Sequence, residues 1–201
     1  MNNSAMHKLT YGLFVVTARE GEKDNGCIVN TVSQVTTSPN RITVAINKQN
    51  YTHDMIINTG IFNVSVLTEK SQFSTYQNFG FKSGRDVDKF EKFVFKRAEN
   101  GVVYIPEETN AFISAKVVDK IDLGTHTLFI ADVTDADVLS EDTSVTYEYY
   151  HKNIKPAPKK EDEKKTGWIC TICGYIYEGE ELPADFICPL CKHGAEDFKK
   201  L

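Results

Sequence analysis

Short runs of β-branched and aromatic residues, cut by Gly, Pro, Asn and Asp, dominate residues 1–150. That pattern predicts strands joined by turns. After a short helical turn over 2–9, Tyr11-Gly12-Leu13-Phe14-Val15-Val16-Thr17-Ala18 reads as the first strand. Gly21-Glu22-Lys23-Asp24-Asn25-Gly26 reads as a hairpin turn, since Asp-Asn and Asn-Gly supply residues that tolerate positive φ. A second strand is expected over 27–36, Ser38-Pro39-Asn40 ends it, and 41–46 makes a third. Helical spacing first appears at Met55-Ile56-Ile57, behind the polar run Asn47-Lys48-Gln49-Asn50-Tyr51-Thr52-His53-Asp54. Strands are expected over 61–67, 94–97, 102–105, 111–121 and 125–138, the last two closed into a long hairpin at Asp122-Leu123-Gly124. A short helix is expected over 72–79, and a polar loop beginning at Ser83 turns into another helix. Residues 146–152 then close the body, against itself or against a second subunit. The order predicts a mainly β fold, a closed or nearly closed barrel with a few helices.

The pattern breaks at Lys155-Pro156-Ala157-Pro158-Lys159-Lys160-Glu161-Asp162-Glu163-Lys164-Lys165, which is charged, contains two prolines and lacks apolar periodicity. It reads as a linker. The expected division is therefore a body over 1–153, a linker over 154–166 and a small module over 167–201. A length of 201 residues suits one medium domain plus a small module, and 41% hydrophobic content suffices for a core. The formal charge of -5 argues against nucleic acid as a partner, because that binding rests on a basic face. No long apolar run and no cationic start followed by an apolar segment appear, so no membrane span is expected and a cytoplasmic location is.

The most specific chemistry lies in the module. Cys170-Thr171-Ile172-Cys173-Gly174 is answered, after fourteen intervening residues, by Cys188-Pro189-Leu190-Cys191. Each C-x-x-C turn sets two sulfurs on one side of the backbone, so Cys170, Cys173, Cys188 and Cys191 form a candidate tetrahedral site. Spacing alone suits zinc or iron. A short segment also needs such a staple to fold. The fifth cysteine, Cys27, is most simply a buried thiol, with a redox or flavin-adduct role as the alternative. The run from Trp168 to Gly179, with Phe186-Ile187-Cys188-Pro189-Leu190-Cys191, resembles rubredoxins, mononuclear Fe(Cys)4 electron carriers, with a shortened loop between the pairs. Trp168, Tyr175, Tyr177, Phe186 and Phe198 could shield such a centre from water. Acidic Glu178, Glu180, Glu181 and Asp185 leave one side of the module negative, which serves solubility or steers a basic-faced partner.

In the body, two polar stretches stand out. Asn30, Ser33 and Gln34 interrupt a strand-like run, facing solvent or lining a ligand groove. Small polar residues and Lys48 precede the helix start at Tyr51-Thr52-His53, where an anion site and an ordinary N-cap are both open readings. There is no G-x-G-x-x-G after a strand, so no Rossmann dinucleotide site is expected. Leu9 to Ala18, Asn30-Thr31-Val32-Ser33-Gln34, Tyr51-Thr52-His53, Ser83-Gly84-Arg85-Asp86 and Gly124-Thr125-His126 occur in an order that resembles the flavin reductase family. That resemblance implies an FMN-binding split barrel, usually a homodimer. It implies that Asn30, Thr31, Val32, Ser33 and Gln34 lie along the isoalloxazine edge. Lys48, Asn50, Tyr51 and Thr52 would hold the phosphate, with Lys89 adding charge. His126 falls near the nicotinamide side, but Thr125 replaces the family's usual acid, and a structural histidine is the other reading.

The composite resembles the high-molecular-weight rubredoxins of anaerobes, flavin reductase and rubredoxin fused. The implied function is electron transfer from NADH or NADPH through FMN to a one-iron centre, and on to a diiron flavoprotein reducing dioxygen or nitric oxide. Two alternatives stand beside it: a flavin reductase that releases reduced FMN, and a non-enzymatic zinc-ribbon binding protein.

Overall fold

The computed structural model describes residue 5, residues 8–156 and residues 167–201. Most of the turn expected over 2–9 and most of the linker expected over 154–166 lie outside the described residues. The body is built on one seven-stranded antiparallel sheet, in the order β2-β1-β5-β8-β9-β4-β3. Its strands are β1 (Phe14–Glu20), β2 (Lys23–Val29), β3 (Ser33–Thr37), β4 (Asn40–Asn47), β5 (Ile61–Leu67), β8 (Thr109–Asp122) and β9 (His126–Val138). A separate two-stranded ribbon pairs β6 (Lys96–Arg97) with β7 (Val103–Tyr104).

The two edge strands, β2 and β3, are consecutive in sequence. Only residues 30–32 separate them, a stretch that reaches about 10 Å. The sheet must therefore curl until its edges meet without pairing, which is a split barrel. Register shifts in the β8–β9 ladder, between Ser114 and Ala115 and between Val117 and Asp119, provide bends of the kind that such curling uses.

Alternation along β1 assigns the two layers of core. Val16 and Ala18 point inside, joining Val44, Ile46, Phe62, Val64, Phe129 and Ala131. Helix α1 (Tyr51–Thr59) caps this interior with Met55 and Ile56, and ends where Gly60 takes a left-handed φ of 71°. Val15 points outward into a second cluster with Tyr76 and Phe79 of α2 (Phe73–Gly80), Phe90, Val103, Ile105 and Tyr150. Both faces of β1 are thus buried. Full burial of each large apolar side chain contributes about 2–3 kcal/mol.

The structure moves several expected boundaries. The first hairpin turn is only Gly21-Glu22, with Glu20 opposite Lys23, so Asp24 and Asn25 belong to β2. Both are held by tertiary partners: Arg19 and Arg97 bond Asp24, while Asn25 reaches Thr52. The strand expected over 27–36 is broken at 30–32, and residues 83–90 form turns and bends without a helix. A short helix, α3 (Tyr147–Tyr149), runs into a π-helical turn over Tyr150–Ile154 at the end of the body. The module is a three-stranded sheet in the order β11-β10-β12, from β10 (Trp168–Cys170), β11 (Ile176–Tyr177) and β12 (Phe198–Lys200).

Candidate metal centre and flavin pocket

Two matching loops build the metal centre. In the first, the Gly174 N–H donates to the Cys170 carbonyl at 2.9 Å, and Gly174 has φ 80°. In the second, the Lys192 N–H donates to the Cys188 carbonyl at 2.9 Å, with Lys192 at φ 62°. Each chain reversal needs a left-handed residue directly after its second cysteine. Glycine adopts that conformation without strain, and Lys192 is one of the few non-glycine residues here that must. The four Sγ atoms lie within 4.8 Å of one another. Two cross-loop pairs, Cys170 with Cys191 and Cys173 with Cys188, stand at 3.5 Å. Thiolates held ~2.3 Å from one ion stand about 3.8 Å apart, so the cluster fits a tetrahedral cation.

Cys170 and Cys188 are buried, whereas Cys173 and Cys191 are half-buried. Burial pushes the Cys170 thiol up to about 11. Cys173 is drawn down to about 5, chiefly by a hydrogen bond from Cys191. A bound cation takes the place of the thiol protons. Phe186 packs against Tyr177 at 4.8 Å and against Phe198 at 5.3 Å between ring centres. These rings make the apolar jacket around Cys170 and Cys188.

In the body, the break between β2 and β3 opens onto a cavity of about 280 Å³. Asn30 and Thr31 line it, with Asn47, Asn50, His126 and Tyr147 from other elements. Thr31 is fixed there, its Oγ1 donating to the Ala45 carbonyl at 2.8 Å and accepting from the Ala45 N–H at 3.1 Å. A smaller cavity of about 60 Å³ adjoins it through Asn47, Asn50 and Gly80, and is lined by Tyr51, Lys82, Ser83, Gly84 and Lys89. Asn50 starts α1 without a side-chain cap, which leaves the first helical N–H groups of this rim uncapped by it. Gly84 is required at this rim, since a Cβ there would stand 2.0 Å from Asn25 Oδ1. A cavity walled by both apolar and polar side chains, joined to a small one lined by Lys82 and Lys89, suits a ring system carrying a phosphate.

The expected flavin residues are spread around these cavities. Asn30, Thr31 and Asn50 line the larger one, and Asn50, Tyr51 and Lys89 the smaller. Val32 packs against the barrel core, while Ser33 and Gln34 lie exposed on β3, where Gln34 donates to Asn40 at 2.9 Å. Lys48 pairs with Asp122 at 2.6 Å. Thr52 is fully buried, its hydroxyl accepting from Asn25 at 3.0 Å. Lys89 is also buried, and its ammonium donates to the carbonyls of Gly26 and Phe79 at 2.9 and 3.1 Å. Burial lowers its value to about 8. His126 faces the cavity, with Nδ1 at 2.9 Å from Thr125 Oγ1, and burial lowers its value, aided by His193 and His53. Lys82 and Tyr147 join the cavity walls unanticipated. The basic Lys82 directly before Ser83-Gly84 was the one local signal for it.

Three residues of the metal module, Ile172, Cys191 and His193, complete the wall of the larger cavity. Residues 6–158 match the family described as Flavin reductase like domain, and residues 168–199 that of the Rubrerythrin, rubredoxin-like domain. The chain is 38% identical to the High molecular weight rubredoxin of Moorella thermoacetica over the whole of both. It belongs to the high-molecular-weight rubredoxin family. This family member is also 38% identical to a Ferric-chelate reductase (NAD(P)H) of Archaeoglobus fulgidus, over 75% of this chain and 89% of that one. Its fold matches the NADH:FAD oxidoreductase SgcE6 of Streptomyces globisporus C-1027, solved in complex with NAD and FAD fragments. That match has a TM-score of 0.66 at 22% identity, over 78% and 92% of the two chains. The chain is thus a flavin reductase fused to a rubredoxin, an oxidoreductase of electron transport, and the pocket and thiolate cluster support FMN and iron as its groups. Among the described residues no helix is long and apolar enough to cross a membrane.

Proposed function

We propose that the chain takes electrons from NADH or NADPH onto FMN in the body and passes them singly to iron held by Cys170, Cys173, Cys188 and Cys191. The observation that carries this reading is the shared wall: Cys191 lines the same cavity as Asn30, Thr31 and His126. FMN accepts a hydride and yields its electrons one at a time, and Fe(Cys)4 accepts one, which is the chemistry these groups supply when bound. Per hydride the balance is two ferric-to-ferrous changes, with NAD(P)⁺ and one net proton released. The protein holds the ring system beside Asn30 and Thr31, cradles the phosphate near Asn50, Tyr51, Lys82 and Lys89, and keeps water out with the apolar jacket of the module.

The nicotinamide donor is supported by the name of the Archaeoglobus relative. His126, at the pocket wall, is the residue we place nearest the donor. The onward acceptor is a diiron flavoprotein, and the exposed carboxylates of Glu178, Glu180, Glu181 and Asp185 steer a basic face toward the module. Exposed Val118 and Ile121 of β8 favour a homodimer contact through that strand. A site that needs four reduced cysteines suits a reducing compartment, which we take to be the cytoplasm. Stopped-flow mixing of FMN- and iron-loaded protein with NADH tests the relay. Both chromophores should bleach, flavin first. Iron that stays ferric through many turnovers of flavin rules the relay out. A Cys191→Ser protein should keep flavin reduction and lose delivery to the acceptor.

A further inference from the structure

The module does more than adjoin the pocket. Ile172 and Cys191 line a cavity of about 280 Å³ together with Asn30, His126 and Tyr147. That lies just below the range of ligand pockets, ~300–1,000 Å³. It has room for one flat ring system, whereas hydride transfer needs a second ring within about 3.5 Å of the first. Ile172, Cys191 and His193 of the module occupy part of the wall, so a second ring stacked on the first would compete with the module for that space.

A specific tie keeps the module there. Lys155 Nζ donates to the Ile172 carbonyl at 2.7 Å, in the loop between ligands Cys170 and Cys173. Lys155 itself is set by the π-helical turn, its N–H donating to the Tyr150 carbonyl at 2.8 Å, and Tyr150 lines the same cavity. On the other ligand loop, Leu190 lies at the edge of the small cation-lined cavity.

We infer that Lys155 is a positioning residue for the internal transfer, holding the Cys170–Cys173 loop on the pocket mouth, so that nicotinamide and the metal module take turns at one opening. This rests on the relay proposed above. In the first half-reaction a C–H bond of the dihydronicotinamide breaks, and its electron pair passes to the flavin with the hydrogen. In the second, single electrons pass to ferric iron and protons go to water. The tie favours the second at the expense of the first.

The test uses the full chain loaded with FMN and iron, as wild type, Lys155→Gln, Lys155→Arg and Ile172→Asp. NAD⁺ affinity is read from flavin fluorescence, and the two bleaching phases are read after mixing with NADH. Loss of one charge-assisted hydrogen bond shifts the closed fraction on the order of tenfold. Lys155→Gln should bind NAD⁺ more tightly by up to that factor, bleach flavin faster and bleach iron more slowly. Lys155→Arg should restore all three. Ile172→Asp, which removes apolar contact without touching the lysine, should shift them in the direction of Lys155→Gln. A merely structural role would slow both phases together. Equal NAD⁺ affinity in wild type, Lys155→Gln and Ile172→Asp, including no measurable binding by any, overturns the inference, as does slowing of both phases. Failure of the relay itself reads differently: iron then stays ferric in every protein, wild type included, while the NAD⁺ affinities still decide whether the module covers the mouth.

Discussion

Lys89 sits 3% exposed between two carbonyl oxygens, with no carboxylate bonded to it among the described residues. Its folded value, about 8, lies below the ordinary 10.5. Between those two values the unfolded chain binds the extra proton, so stability rises with pH. Below pH 8 the lysine is charged in both states and the burial penalty is carried in full. The stability of wild type relative to Lys89→Met should therefore improve by about 2 kcal/mol from pH 7 to 9.5. Urea midpoints at the two pH values measure it, and a constant difference would place the charge in water. Gly84 makes a second residue-scale case, because Gly84→Ala drives a Cβ into the Asn25 side chain that holds Thr52. Overpacking of that kind costs about 1–3 kcal/mol, and FMN retention on gel filtration should fall with it. The thiolate ligands are legible in the sequence because their chemistry is concentrated in two tight turns. Flavin residues are harder to read: Lys89 and Lys82 reach the cavities from a loop whose fold is set by tertiary contacts, and Lys48, equally basic, turns away to Asp122.

At the scale of elements, alternation of apolar and polar residues is enough to locate β5, Phe62-Asn63-Val64-Ser65-Val66, and the first halves of the hairpin strands β8 and β9, where buried and half-buried positions interleave. It does not reveal the break at 30–32, because Thr31 is polar and is held by the backbone of Ala45 in the neighbouring strand. Nor does the Asn25-Gly26 dipeptide make the first hairpin turn, since two arginines and Thr52 hold that stretch as a strand. The segment from Asn100 to Ile105 is pinned to the outer face of the sheet by buried polar side chains that composition does not advertise. Asn63 donates to the Val102 carbonyl at 2.8 Å and accepts from Asn100 at 2.7 Å, and Ser65 accepts from the Ile105 N–H at 3.1 Å. Asn63→Ala removes a donor from a fully buried carbonyl, which costs about 1–3 kcal/mol. Proteolysis should then cut first between 96 and 105. Unchanged stability and no new cleavage there would mean that the apolar contacts of Val103 and Ile105 suffice to hold the ribbon.

The whole molecule joins two units of unlike stability. The body has two layers of core and an antiparallel sheet of seven strands. In the module, the buried hydrophobic side chains among the described residues are Cys170, Cys188 and Phe198, and two of these are metal ligands. A segment of that size does not stand without a staple, and metal binding is then the larger part of its folding free energy. The chain has one tryptophan, Trp168, which lies in the module with Nε1 donating to the Glu180 carbonyl and Lys200 over its ring. Its emission therefore reports on the module alone, while FMN reports on the body. In Cys188→Ser, which loses a fully buried ligand, Trp168 emission should shift to the red and its anisotropy fall at room temperature. The same protein should retain FMN and the main melting transition of the barrel within a few degrees, because the two cores share no side chain. Loss of FMN together with the tryptophan signal would show that the contact through Ile172 and Cys191 makes the two units a single cooperative fold. A module that stays folded without the fourth thiolate would show that its aromatic jacket, and not the metal, supplies most of its stability.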